Sequence, residues 1–254
     1  MRNLKDKVAW ITGAGSGIGE ASALVYAQAG MKLILSGRRE AELEGVAQKV
    51  RALGGSARVA KLDVMDENAV QAVADSIATL EGRIDVLVNS AGVNVFKRNW
   101  KHLSKADWNQ VINIDLSGAF YCAHSVLPMM RKQGDGLIIN ISSWAGRHVS
   151  ALTGPAYSAA KFGLNAMNES INVEEGINGI RATAVLPGEV ATPILNKRPI
   201  PVSAEDKARM VQAQDCGELM LFLARMPVHV CLNDVTISPT WNRGYVPQAM
   251  GIPA

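Results

Sequence analysis

Cysteine is too scarce and too scattered in this chain to organise it. Cys122, Cys216 and Cys231 are odd in number, far apart and without a CxxC pair. That excludes a disulfide framework and offers no zinc-binding spacing, so reduced thiols in a cytoplasmic protein are expected. Charge of one sign is equally lacking. The net charge is only +3, and no Lys/Arg run supplies a nucleic-acid footprint. No stretch of about 18 uncharged apolar residues occurs, which leaves no candidate for a membrane-spanning helix. Met1-Arg2-Asn3-Leu4-Lys5-Asp6-Lys7 runs straight into an apolar segment, and no signal peptide is expected. His102, His124 and His229 show no ligand spacing, so no catalytic metal is expected. With no Pro/Ser-rich linker, repeat or low-complexity tract, residues 1–254 read as one domain.

What the chain does have is apolar substance, 48% of its residues, arranged in short runs. Val8–Thr12, Lys32–Ser36, Ala57–Leu62, Ile84–Asn89, Leu137–Ile141 and Ile180–Leu186 read as buried strands, with a last one at Val228–Ile237. Between them lie amphipathic stretches such as Ala41–Leu53, Glu67–Leu80 and Lys105–Arg131. Strands alternating with helices predict an α/β fold: a doubly wound parallel sheet of about seven strands with helices on both faces. Thr192–Gln214 is less regular, carrying Pro193, Pro199 and Pro201 before a helical pattern resumes. A long loop beside such a core is usually a lid or binding loop; the ordinary alternative is a surface excursion.

Two motifs carry chemistry. Thr12-Gly13-Ala14-Gly15-Ser16-Gly17-Ile18-Gly19 follows the first strand and opens a helix. Glycines there permit a tight turn, let backbone approach a pyrophosphate and allow close helix–strand packing, while the helix N-terminus offers free N–H groups to an anion. Ile18 stands where a third glycine would complete GxGxxG, so the pattern reads TGxxxGxG. The second motif is Tyr157-Ser-Ala-Ala-Lys161, which puts a phenol and an ammonium on one helical face. A tyrosine titrates near pH ~10, and an adjacent cation favours its phenolate. By itself the spacing also fits an ordinary exposed pair.

TGxxxGxG, Asn89-Ser90-Ala91-Gly92, Tyr157-x-x-x-Lys161 and Pro187-Gly188, in that order over residues 6 to 192, resemble the short-chain dehydrogenase/reductase family. The resemblance implies a single Rossmann domain and a nicotinamide cofactor. It also implies hydride transfer between an alcohol and a carbonyl, and a homodimer or homotetramer. Cofactor contacts are then expected from Gly13, Ser16, Gly17, Ile18, Gly19, Asp63, Val64, Asn89, Ala91, Gly92, Tyr157, Lys161, Pro187, Gly188, Val190 and Thr192. Family members that prefer NAD usually carry Asp after the second strand; here Gly37-Arg38-Arg39 stands there. A guanidinium forks onto phosphate, so Arg38 and Arg39 point to NADP (NADPH).

The same resemblance makes Tyr157 the proton donor in reduction and the base in oxidation. It makes Lys161 the group that lowers the tyrosine's pKa and holds the nicotinamide ribose. Ser143, with Ser142 as its rival, becomes the hydroxyl that bonds the substrate oxygen. Asn113, otherwise an ordinary polar helix residue, resembles the family asparagine that kinks its helix around a water and completes a proton relay. Val93–Phe96, Trp144, His148 and the irregular segment from Thr192 to Gln214 are candidates for the substrate pocket. Lys197 and Arg198 within it could attract an anion. Pro227–Thr240 resembles a mostly NADP-linked subgroup of 3-hydroxy-acid dehydrogenases, clavulanate-type aldehyde reductases and farnesol dehydrogenases. The tail Trp241–Ala254 is expected to reach a neighbouring subunit. The expected substrate is a small alcohol, ketone or aldehyde, with no nucleic-acid or membrane partner. The alternatives are a 3-oxoacyl reductase of fatty-acid synthesis and a non-catalytic dinucleotide sensor.

Overall fold

Strand side chains point alternately to two faces, and here both faces are dry. Val8 and Trp10 belong to one apolar cluster, and Ala9 and Ile11 to the other. A parallel sheet buried on both sides is built from such near-continuous apolar runs. The computed structural model describes residues 1–198, 201–243, 245 and 251, with the Lys197 side chain excepted. In chain order it runs β1 (Val8–Thr12), α1 (Gly17–Gln28), β2 (Lys32–Gly37), α2 (Glu40–Ala52), β3 (Ser56–Lys61), α3 (Glu67–Leu80) and β4 (Val86–Asn89). There follow α4 (Lys105–Ile112), a π-helical turn (Asn113–Ser117), α5 (Gly118–Gln133), β5 (Gly136–Ile141) and α6 (Pro155–Glu175). The last elements are β6 (Ile180–Pro187), β7 (Val190–Ala191), α7 (Ala204–Arg209), β8 (Val211–Gln212), α8 (Ala213–Arg225) and β9 (Asp234–Ile237).

The main sheet has seven strands in the order β3-β2-β1-β4-β5-β6-β9, all parallel. This is the doubly wound Rossmann arrangement expected. One layer of core joins α1, α2 and α8 to the sheet; the other joins α3, α5 and α6. The chain winds outward from β1 in one direction and from β4 in the other. Their carboxyl ends, Thr12 paired with Asn89, flank the crevice where open α/β sheets bind ligands.

Three expected spans are corrected. The single helix read over Lys105–Arg131 is two helices joined through the π-turn Asn113–Ser117, a wider turn that re-aims the side chains beyond it. The strand read from Ile84 begins at Val86, because the Ile84 N–H and carbonyl both bond the Gln133 side chain, each at 2.8 Å. The strand read over Val228–Ile237 shrinks to Asp234–Ile237. Before it, Arg181 Nη1 draws the carbonyls of Pro227 and Val230 to itself at 3.4 and 3.1 Å.

Polar ties fix the central strands. Asn89 donates to Asn140 Oδ1 at 2.9 Å, and Asn140 donates to Asn168 Oδ1 at 3.0 Å, linking β4, β5 and α6 through buried amides. At the opposite end of the sheet Asp85 accepts from Val8 N–H and from Arg83 Nε, both at 2.8 Å, with Lys7 Nζ 3.2 Å away. Burial alone would raise the Asp85 carboxyl. The Arg83 and Val8 hydrogen bonds and the charges of Lys7 and Arg83 outweigh it and hold the group below the ordinary carboxylate range. A depressed carboxyl stabilises the fold above the unfolded-state value near ~3.9 and loses that contribution as pH falls through the folded value. Asp85→Ala also strands the Val8 N–H, and should cost about 1–3 kcal/mol at neutral pH with a shallower loss of stability on acidification. Thermal unfolding of both proteins from neutral to acid pH checks this, and equal midpoints throughout would refute it.

Candidate active site

The crevice opens on glycines because the backbone there leaves no room for a side chain. Thr12 Oγ1 accepts the Ser90 and Ala91 N–H groups, both at 3.2 Å, pinning the end of β4 to the end of β1. A Cβ on Gly13, which has φ +63°, would lie 2.7 Å from the Ser90 carbonyl oxygen, and one on Gly19 would lie 2.4 Å from the Gly13 oxygen. Gly17, at φ +60°, passes Thr192, whose Cγ2 would be 3.3 Å from a Cβ. Ser16 is the N-cap of α1, yet its side chain caps no helix N–H; its hydroxyl faces Arg39 Nη2 at 3.4 Å instead. The first-turn amides around Ile18 and Gly19 are thus left to an anion. The cradle fits a dinucleotide pyrophosphate.

Beyond β2, Gly37 packs on Leu43 and presents no carboxylate. Arg38 is exposed, and no carboxylate pairs with it among the described residues. Arg39 pairs with Glu42 at 3.1 Å. Asp63 accepts the Met65 N–H at 3.1 Å, and Val64 is buried against Gly118. The Asn89 amide is engaged inside the fold, donating to the Ala119 carbonyl at 3.2 Å as well as to Asn140.

Lys161 comes from α6 into the same crevice, 3% exposed. Its ammonium donates to the Ile141 carbonyl at 3.0 Å, lies 3.2 Å from Asp115 Oδ2 and sits 5.4 Å from the Tyr157 ring centroid. Ser143, just beyond the end of β5, lies beside the Tyr157 phenol and favours its ionised form, and it accepts the Ala145 N–H at 3.1 Å. Its rival Ser142 is buried and donates to the Lys161 carbonyl at 3.3 Å. The two serines therefore part: Ser143 faces the phenol, and Ser142 braces the backbone behind the lysine.

Asn113 is not brought to this cluster; it is exposed at the start of the π-turn. Two residues on, Asp115 takes the place beside Lys161. It is 1% exposed, with Oδ1 accepting the Val93 N–H at 2.8 Å. Gly92 admits it, since a Cβ there would stand 3.2 Å from Asp115 Oδ2. The sequence carried a signal for it: a carboxylate flanked by Ile114 and Leu116 has to find a partner if buried. The expected lowering of Tyr157 is also corrected. Burial pushes the phenol up first, Lys161 pulls it down, Asp115 pushes it up, and Ser143 and Arg98 pull it down; the net is upward. Burial opposes the Lys161 ammonium, but Asp115 and then Tyr157 outweigh it and raise its pKa.

The far wall is Pro187–Thr192. The Gly188 N–H donates to the Ile237 carbonyl at 2.8 Å, Val190 pairs with Val211, and Thr192 abuts Gly17. Trp144 lies against Gly188 and stacks near His148 and Tyr245, with centroids 5.2 and 5.4 Å apart. Arg198, a candidate for attracting an anion, pairs with Glu189 at 2.7 Å. Arg243 reaches the same carboxylate at 2.6 Å and Asp206 at 3.2 Å, and Arg209 lies over Trp241. Trp241 and Arg243 thus fold on their own chain. Lys197's side chain, Pro199 and the tail residues 244, 246–250 and 252–254 lie outside the described residues. Among the described residues no cluster of three metal-ligating side chains occurs, and no helix is long and apolar enough to cross a membrane.

Comparison with known proteins adds kinship. An uncharacterized oxidoreductase of Bacillus subtilis is 37% identical over 197 residues, 78% of this chain and 71% of that one. A metagenomic short-chain oxidoreductase solved in complex with NADP superposes with a TM-score of 0.82 at 29% identity, covering 95% of this chain and 100% of its own. An alcohol dehydrogenase from the archaeon Thermococcus sibiricus, complexed with 5-hydroxy-NADP, gives 0.85 at 26% identity over 94% and 99%. With residues 7–201 also matching the short chain dehydrogenase family, the chain belongs to that family of oxidoreductases.

Proposed function

We propose that this protein transfers hydride between NADP and a small alcohol or carbonyl compound, with Tyr157 as the general acid and base. The observation that carries the reading is the meeting of Ser143, Tyr157 and Lys161 at the mouth of the glycine cradle. When bound, the nicotinamide supplies or accepts the hydride. Gly13, Ser16, Gly17, Ile18 and Gly19 would hold the pyrophosphate, with Asp63, Val64, Ala91 and Gly92 along the adenosine side. Pro187, Gly188, Val190 and Thr192 would close on the nicotinamide end. Ser143 donates to the substrate oxygen and Tyr157 gives it a proton in reduction, the polarising and acid roles a carbonyl needs. Lys161 holds the ribose and its charge favours the phenolate in oxidation. Segment 192–214 is read as a substrate lid, clasped through Arg198 and Glu189.

Three features support NADP: the missing acid at Gly37, the exposed Arg38 and the NADP complexes among similar structures. Exposed Phe120 on α5 and Phe162 and Val173 on α6 support self-association as a dimer or tetramer.

The reading is tested by following NADPH oxidation against ketones, aldehydes and 3-oxo acids. Turnover is expected with at least one of these classes, and none across the panel would defeat it. Tyr157→Phe should reduce that turnover by ~10²–10⁴ with cofactor affinity nearly intact; an active variant would remove Tyr157 from the chemistry. Ser143→Ala should depress turnover while Ser142→Ala lowers only thermal stability, and the reverse pattern would exchange their roles. A charge-assisted contact contributes about 1.5–3 kcal/mol, so Arg38→Ala should weaken NADPH binding roughly tenfold or more and spare NADH. Equal loss for both cofactors, read by fluorescence titration, would count against it.

A further inference from the structure

The reading above gives Lys161 the task of easing a proton off Tyr157, yet the structure sets a carboxyl group against that lysine, one that burial pushes up and that Lys161 and the Val93 N–H pull back toward the ionised form. Asp115 is as buried as Lys161 and lies at 3.2 Å from its ammonium. Three features of the chain make this contact possible. The π-turn Asn113–Ser117 aims Asp115 inward, Gly92 leaves the space, and the Val93 N–H holds the second carboxylate oxygen. An amide at this position could accept one such bond but would carry no charge. A carboxylate so placed cancels much of the ammonium's field, because at short range in a dry site opposite charges interact far more strongly than in water.

Resting on the proposed function, we propose that Asp115 is a positioning residue that locks the Lys161 ammonium in place and offsets its charge, so that Tyr157 keeps its proton and the site is set to deliver one to a carbonyl. The groups that face the Tyr157 hydroxyl are few. Lys161 comes from its own helix, Ser143 from the end of β5, Arg98 from the loop after β4, and Asp115 from the π-turn. The Tyr157 side chain otherwise packs against the buried apolar cluster of Val111, Ala156 and Ala160. Of the charged groups among the described residues, only Asp115 opposes the phenolate. Arg98 donates to the carbonyls of Val95 and Leu152 at 2.7 and 3.2 Å, which fixes its distance and leaves Asp115 as the one anion in the balance.

The sign follows directly. Removing the Asp115 charge leaves Lys161 unopposed, so the Tyr157 phenol should ionise at lower pH. The test is spectrophotometric titration of tyrosinate, taken as the difference between each protein and the same protein carrying Tyr157→Phe. Wild-type Tyr157 should titrate above the ordinary tyrosine range. Asp115→Asn, nearly the same shape, should lower its midpoint by about one pH unit or more, and Asp115→Ser should move it the same way. In the oxidative direction the acid limb of the pH profile should fall by the same interval. A wild-type phenol that ionises below the ordinary range would overturn the assignment, as would a midpoint unmoved in both variants. If Asp115→Asn does not fold, the wild-type midpoint and Asp115→Ser still decide. The titration needs no substrate, so failure of the carbonyl panel would sink the proposed function and leave this result readable by itself.

Discussion

A buried ammonium is the demand around which this crevice is arranged. Lys161 has given up nearly all of its water, and an unpaired charge in that position would cost more than a fold of this size can spare. Every neighbour answers the demand. The carbonyl of Ile141 accepts from it, Asp115 faces it, and Ser142 holds the lysine's own carbonyl. Those partners sit on β5 and on the π-turn, so the charge ties the end of the central sheet to two helices. Tyr157 and Ser143 inherit their positions from that tie. The proposed catalytic face is therefore the outer edge of an interior electrostatic arrangement.

The cofactor side of the crevice obeys a different constraint, that of space. Gly13 and Gly19 are placed where backbone meets backbone at distances no Cβ tolerates, and the Thr12 hydroxyl closes the gap between β1 and β4 by accepting two amides at once. The two constraints meet at Ala91 and Gly92, which serve the Thr12 tie on one side and admit Asp115 on the other.

Much of this was legible in the sequence, and the rest was hidden for identifiable reasons. Apolar runs located the strands because a parallel sheet buried on both faces needs uninterrupted hydrophobic segments; their limits shifted by more than a residue where side chains from elsewhere capture the backbone, as Gln133 and Arg181 do. The glycine turn and the Tyr157–Lys161 pair were readable together, as members of one ordered set of motifs, where the pair's spacing alone would also fit an exposed helical pair. Asn113 was assigned from its place in the family pattern, where a kinked helix was expected, but it is exposed at the start of the π-turn. The π-turn alters the phase at that point, and what faces Lys161 is the carboxylate two residues later. Burial was the other hidden quantity: pairing with Lys161 suggested an easily ionised Tyr157, but desolvation and Asp115 reverse the net direction. Ser143 was preferred to Ser142 on the family pattern alone, since adjacent residues at a strand end point to opposite sides and periodicity does not say which side is solvent.

Glu189 stands directly after the Pro-Gly turn and binds two guanidinium groups, one from Arg198 and one from Arg243. Their hold on a single carboxylate joins, at the rim of the crevice, one residue nine positions and another 54 positions along the chain, none of them among the proposed proton-transfer groups. Tolerance to change is consequently uneven across the molecule. The rim can be re-cut by exchanging arginines, aromatics or loop lengths while the Lys161 interior stays as it is. A lineage of such proteins could diversify what it admits at small risk to how it reacts.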